Sequence, residues 1–227
     1  MIYIIHYKKL TDRKEYLINK LNSFNLEYRF IEQYERETIS TNLINKFYKV
    51  NPELWEKRTK GLYINNIGFR ELKLSEICNS LSHLDALKKI SESKEDYSII
   101  IEDDVIFNND FNGRLENLIK QTPEDFDVIF FGSSFNIFNL DKSNLSKTIK
   151  IKNNIYKKTP AKTRCVDGYV VKKEFAKKLY EEIKEIVLPF DFELNYFFNK
   201  LNTNCYWLEP GLVKQGSMTG VYKSANR

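Results

Sequence analysis

Three consecutive acids, Glu102-Asp103-Asp104, follow directly on the apolar run Tyr97-Ser98-Ile99-Ile100-Ile101. Carboxylates packed this closely repel one another and resist leaving water, so the cluster is costly unless a cation or hydrogen-bond donors neutralise it. The carboxyl end of a strand in an open α/β sheet is also where such folds bind ligands. Carboxylate oxygens suit Mg²⁺ or Mn²⁺, which then bridge to phosphate oxygens. The plainer alternative is an acidic turn that closes the strand, and the tripeptide alone does not choose between the two.

The elements that would position these acids are readable from hydropathy. Residues 2–5 form a compact apolar run that reads as a buried strand, residues 11–21 a helix with Leu17, Ile18 and Leu21 on its apolar stripe, and residues 28–31 a second strand. This β-α-β opening favours a parallel sheet. Leu74, Ile77, Cys78 and Leu81 fall at helical spacing, with Ser75 as the expected N-cap. Glu76, Asn79 and His83 share the opposite, polar face of that helix. Further strands are expected over 127–131, 165–171 and 205–208, and helices over 111–119, 174–186 and 192–201. Residues 142–162 read as a hairpin or loop. The stretch from about 35 to 70 reads as a helical insertion, and 211–227 as a polar, mobile tail.

Composition narrows the classes. The 227 residues suit one α/β domain, and 42% hydrophobic content with 16 Phe and 14 Tyr supports a sizeable core and excludes disorder. Lys plus Arg is 36 and Asp plus Glu 31, a surplus of +5 spread through mixed-sign stretches, which makes nucleic acid a poor partner. Cys78, Cys165 and Cys205 are too scattered for a disulfide framework or zinc knuckle. No run reaches the ~20 apolar residues of a membrane span. The expected location is cytoplasmic, with peripheral contact at the inner face of a membrane.

Several segments, in order, resemble glycosyltransferase family 25, the lipooligosaccharide galactosyltransferases and collagen galactosyltransferases. They are Ile2-Tyr-Ile-Ile-His6 with Asp12-Arg13, the run from Leu74 through Ser82-His83-Leu84, Ile99-Ile-Ile-Glu-Asp-Asp-Val105 and Asp127-Val-Ile-Phe-Phe-Gly132. The likeness continues through Gly168-Tyr-Val-Val171, Pro189-Phe-Asp191 and Glu209-Pro-Gly-Leu-Val-Lys-Gln215. The resemblance implies a GT-A-type, Rossmann-like domain with a mostly parallel sheet flanked by helices. It also implies a UDP-sugar donor and transfer of a hexose, galactose or glucose, with inversion. Glu102-Asp103-Asp104 then corresponds to the family's DxD-like motif, with Mn²⁺ or Mg²⁺ on Asp104. Glu102 orients the ribose or shares the metal, and Asp103 takes either part. His6 stands where the family commonly has Asn, and Leu74-Ser75 where a Gly turn is commoner; both bear on donor preference.

Inversion requires a base for the acceptor hydroxyl. Asp191 is the first candidate, against a plain helix-capping role, and Glu193 the second; Asp167 is a third candidate residue, for acceptor or metal contact. Ser82 and His83 carry a donor-site role by resemblance, against a satisfied structural histidine. His6 points from a strand end toward the same crevice, and Arg13 pairs with a phosphate or with a neighbouring acid. Gln215 and Ser217, with Lys214 or Lys223, would close over the diphosphate. The acceptor expected is a glycan such as lipooligosaccharide, or a hydroxylysine-type hydroxyl. The competing functions are a non-catalytic nucleotide-sugar-binding module and a nucleotidyltransferase, the latter disfavoured because no Gly-rich phosphate loop lies near the N-terminus.

Overall fold

The structure is a computed structural model and describes residues 1–60, 68–133 and 147–224. Its centre is an eight-stranded sheet in the order β2-β1-β3-β8-β5-β9-β7-β6. These strands are β1 (Ile2–Ile5), β2 (Tyr28–Ile31), β3 (Tyr97–Glu102), β5 (Val128–Phe130), β6 (Lys147–Lys152), β7 (Ile155–Thr159), β8 (Gly168–Lys172) and β9 (Cys205–Leu208). Strands β2, β1 and β3 are parallel, as are β5 and β9; β8 runs antiparallel between the two groups. This is the α/β architecture with a mostly parallel sheet that the resemblance implied, with β8 and the β6–β7 hairpin as its antiparallel members.

The sheet is buried on both faces, so its central strands read as continuous apolar runs. Alternate residues serve opposite cores: Tyr3 and Ile5 join Ile100, Phe130, Tyr169 and Trp207 on one side. Ile2 and Ile4 join Ile99, Ile101, Ile129 and Tyr206 on the other. Helices α4 (Leu74–Ser91), α6 (Lys173–Glu182) and α7 (Phe190–Lys200) cover the first face; α1 (Thr11–Ser23) and α5 (Phe111–Gln121) cover the second. Within residues 35–70, α2 (Thr41–Phe47) and α3 (Pro52–Thr59) are helical, and residues 61–67 lie outside the described residues. Leu54 and Trp55 of α3 pack on Val187 and Leu188 just before α7.

Two local expectations need correction. Helix α4 begins at Leu74 with Lys73 as N-cap, not Ser75. Glu76 accepts from the Lys73 amide at 2.8 Å, the reciprocal half of a capping box, and is gripped by both Arg70 nitrogens. The polar segment after Gly211 is no loose tail through residue 224. Val213–Gln215 forms β10, which pairs antiparallel with β4 (Val105–Phe107), and Gly216–Thr219 forms the short helix α8. Leu212 and Val213 are fully buried, and that burial anchors the segment. Among the described residues no helix is long and apolar enough to cross a membrane.

Candidate active site

Register brings the acids to the ends of neighbouring strands. Ile5 of β1 lies opposite Glu102 of β3, so His6 and Tyr7 emerge beside Asp103. Asp103 is saturated. Its Oδ1 accepts from Arg13 Nη1 at 2.6 Å, and its Oδ2 accepts from the Tyr7 amide at 3.0 Å and lies 3.0 Å from His6 Nδ1. Arg13 also donates to the Lys223 carbonyl, and its guanidinium stacks on Tyr222 at 4.8 Å. His6 Nε2 stands 3.7 Å from Glu32. Asp103, Arg13 and His6 line the cleft, but they form a buried clamp joining β1, α1, β3 and the C-terminal segment. Of the two readings of Arg13, the structure shows the pairing with a neighbouring acid, Asp103.

Glu102 is met by the polar face of α4. Asn79 Nδ2 donates to its Oε1 at 2.9 Å, and His83 Nε2 stands 3.6 Å from the same oxygen. His83, on that polar face, is fully buried. Its ring stacks on Phe190 at 4.6 Å, and Nδ1 lies 3.1 Å from the Tyr169 hydroxyl. It meets the cleft through Glu102 and Phe190, without lining it itself. Ser82 lines the cleft while its hydroxyl donates to the Cys78 carbonyl.

Asp104 is treated differently. It is buried, its Oδ1 has no hydrogen-bond partner among the described residues, and burial followed by repulsion from Glu102 pushes its pKa up to about 6. The opposing influences are a hydrogen bond from Ser217 and, more weakly, the Arg13 charge. Ser217 is delivered by the β4–β10 ladder, which sets Gln215 opposite Val105 and lets the Gly216 amide donate to the Asp104 carbonyl at 2.6 Å. Gln215 and Ser217 therefore wall the cleft as expected residues, whereas the exposed Lys214 and Lys223 do not line it.

A second lobe of the cleft is lined by Glu76, Cys165, Val166, Pro189, Phe190 and Asp191. Asp191, partly exposed in the first turn of α7, accepts from the Phe192 amide at 3.0 Å; burial is the main reason its pKa rises to about 6. Glu193 cannot serve as the second candidate base. It is fully buried, paired with Arg58 at 2.6 Å, and accepts from the Val187 and Leu188 amides at 2.6 and 2.9 Å. Its Oε2 ties α3 to α7 through Arg58, and its Oε1 holds the segment that leads into α7. Asp167 is also fully buried, lying against Gly132 and accepting from the Ser133 amide, beneath the sheet end rather than in the cleft.

Sequence reading missed Asn79 as a site residue, although its spacing from His83 placed it correctly. It also missed Tyr7 and Arg36, which stack at 4.3 Å on the cleft rim. Nothing in local periodicity marks a rim built from two loops; the position of Tyr7 just after β1 was the available signal.

Acids at the carboxyl end of β3, walled by α4 and the C-terminal segment, form a ligand cleft of the doubly wound α/β type. The sequence matches the model of glycosyltransferase family 25 (LPS biosynthesis protein) over residues 1–194, and the chain belongs to that family. Procollagen galactosyltransferase 2 of Mus musculus is 23% identical over 134 residues, covering 58% of this chain and 20% of the relative. The same protein of Homo sapiens is 25% identical over 134 residues with the same coverage. The matched stretch thus spans about one fifth of the length of these curated relatives. Among solved structures, A197 from STIV is similar with a TM-score of 0.43 and 14% identity, covering 93% of this chain and 81% of that one.

Proposed function

We propose that this chain is an inverting, metal-dependent glycosyltransferase that moves a hexose, galactose or glucose, from a UDP-sugar to a hydroxyl acceptor. The observation that carries the reading is Asp104, a buried carboxylate with an unpartnered oxygen beside a second acid, in a cleft at the end of β3. Such a charge is tolerable when a cation completes it. Among the described residues no group of three or more His, Cys, Asp or Glu side chains could hold a metal. Mg²⁺ is commonly bound by one or two carboxylates with substrate phosphates supplying further ligands, which fits Asp104 with Glu102. When bound, the ion offsets the charge that builds on the departing diphosphate.

The protein's own residues do the rest. Ser217 and Gln215 close the cleft beside Asp104 and exclude water from it. Asp191, across the second lobe, takes the acceptor proton as the acceptor oxygen bonds to the anomeric carbon and the bond from that carbon to the β-phosphate oxygen breaks. Galactose is supported by the name of the procollagen galactosyltransferase relatives and a glycan acceptor by the family's description as an LPS biosynthesis protein.

The test is a donor-hydrolysis and transfer screen across UDP-sugars with Mn²⁺, Mg²⁺ or a chelator, run on the native chain and on Asp104→Asn. Turnover should require the metal and fall on the order of 100-fold or more in the variant, while thermal stability holds or rises because an unpaired buried charge has gone. Undiminished turnover by Asp104→Asn, or turnover in chelator, would remove the proposal.

A further inference from the structure

We propose that Asn79 and Gln215, together with Glu102, form the subsite of the transferred sugar ring and determine which hexose the protein accepts; this rests on the transferase reading above. The cleft has two lobes. One holds Asp103, Asp104 and Ser217, and the other holds Asp191 with Pro189 and Phe190. Asn79, Glu102 and Gln215 line both. In a group transfer the carbon attacked must lie between the leaving oxygen and the incoming one, close to bonding distance of each. If the diphosphate occupies the Asp104 lobe and the acceptor the Asp191 lobe, the hexose has one place to lie, against the wall the lobes share.

The chemistry of that wall suits a polyol. Beyond its bond to Glu102, Asn79 keeps a second N–H and its amide oxygen, and Glu102 keeps its other carboxylate oxygen, donors and acceptors of the kind that meet neighbouring ring hydroxyls, with the Gln215 amide beside them. The wall is also rigid. Asn79 projects from the middle of α4 and is hydrogen-bonded to Glu102 Oε1 at 2.9 Å. Behind it, His83 Nε2 stands 3.6 Å from that oxygen, with the ring fixed by Tyr169 and Phe190. The backbone of Gln215 is set by its register opposite Val105. Polar groups held this firmly discriminate between sugars that differ in one hydroxyl, because the wrong epimer leaves a partner unmet.

The experiment is calorimetric binding, with Mn²⁺ present, of UDP, UDP-galactose and UDP-glucose to the native chain, Asn79→Ala and Gln215→Ala. Both positions are partly exposed to solvent in the cleft, and circular dichroism checks that the variants fold. Expected is a loss of about tenfold in affinity for the preferred UDP-hexose, the worth of one or two ring hydrogen bonds. In Asn79→Ala UDP affinity should be retained, and in both variants the galactose-to-glucose ratio should collapse toward one. A parallel loss of UDP affinity in Asn79→Ala, or an unchanged ratio between the two hexoses in either variant, overturns the subsite while leaving the transferase reading in place. A native chain that binds none of the three ligands overturns both.

Discussion

At the scale of single residues, Asp104 and Asp191 share a pKa pushed up to about 6, burial being the largest cause for each. Their partners separate them. Asp104 faces Glu102 and Ser217, whereas the Asp191 carboxyl accepts from the Phe192 backbone amide. A base must be unprotonated, so with a raised folded pKa the active form of Asp191 is present above about 6 and is lost as pH falls through it. We expect kcat/KM to drop about tenfold per pH unit below that point, and Asp191→Asn to abolish this limb together with transfer. The limb should not move with metal concentration. One that shifts as Mn²⁺ is varied would belong to Asp104 instead. Glu193 gives the contrasting case of a carboxylate used for structure. Arg58→Ala would strand its charge among Val187, Leu188 and the α7 turn, costing roughly 3–5 kcal/mol in a denaturant titration. Burial raises the Glu193 pKa. Protonation below that pKa relieves the stranded charge, so the penalty should shrink as pH falls through it. A pH-independent penalty would argue that packing, not charge, is what Arg58 contributes.

At the scale of elements, the ladder of β4 and β10 is only three pairs long, yet it decides where Gln215, Gly216 and Ser217 stand. Gly216 has no room for a side chain: an added Cβ would lie 2.8 Å from the Asp104 carbonyl and 2.5 Å from the Tyr222 ring. Gly216→Ala should therefore push the C-terminal segment off Asp104, a strain of about 1–3 kcal/mol, and raise the donor KM by about tenfold at that cost. Gly113→Ala is the control, since nothing lies within 4 Å of the added atom; there the helix should gain about 0.5–1 kcal/mol with KM unchanged. Elements built on long apolar runs were legible in advance. Residues 2–5 and 205–208 became strands at the expected bounds because burial on both faces leaves an unbroken apolar signature, and 28–31 did so as a half-buried edge strand. The strands Val105–Phe107 and Val213–Gln215 were not legible, because each is three residues long and its partner lies more than a hundred positions away.

Across the whole molecule, the acid motif and the helix behind it could be read from residue types, since three carboxylates after an isoleucine run are conspicuous. The division of labour among those carboxylates could not. It depends on Arg13 reaching Asp103, Ser217 reaching Asp104 and Arg58 reaching Glu193, contacts set by tertiary packing and carrying no local pattern. The sheet order has a similar character. That β8 would insert antiparallel between β3 and β5 is invisible in hydropathy, yet it sets the Asp167 carbonyl against the Glu102 amide at 3.2 Å and so finishes the strand end that bears the motif.

The chain order of that assembly carries a consequence for biosynthesis. Synthesis proceeds from the amino end, and the acids at 102–104 emerge more than a hundred residues before Ser217, Tyr222 and Lys223, which brace Asp104 and Arg13. Strand β9, which must zip beside β5, likewise emerges more than seventy residues after it. Until the later segment arrives the nascent polypeptide carries a cluster of like charges without its seal and depends on late, long-range closure, the slow kind of folding event.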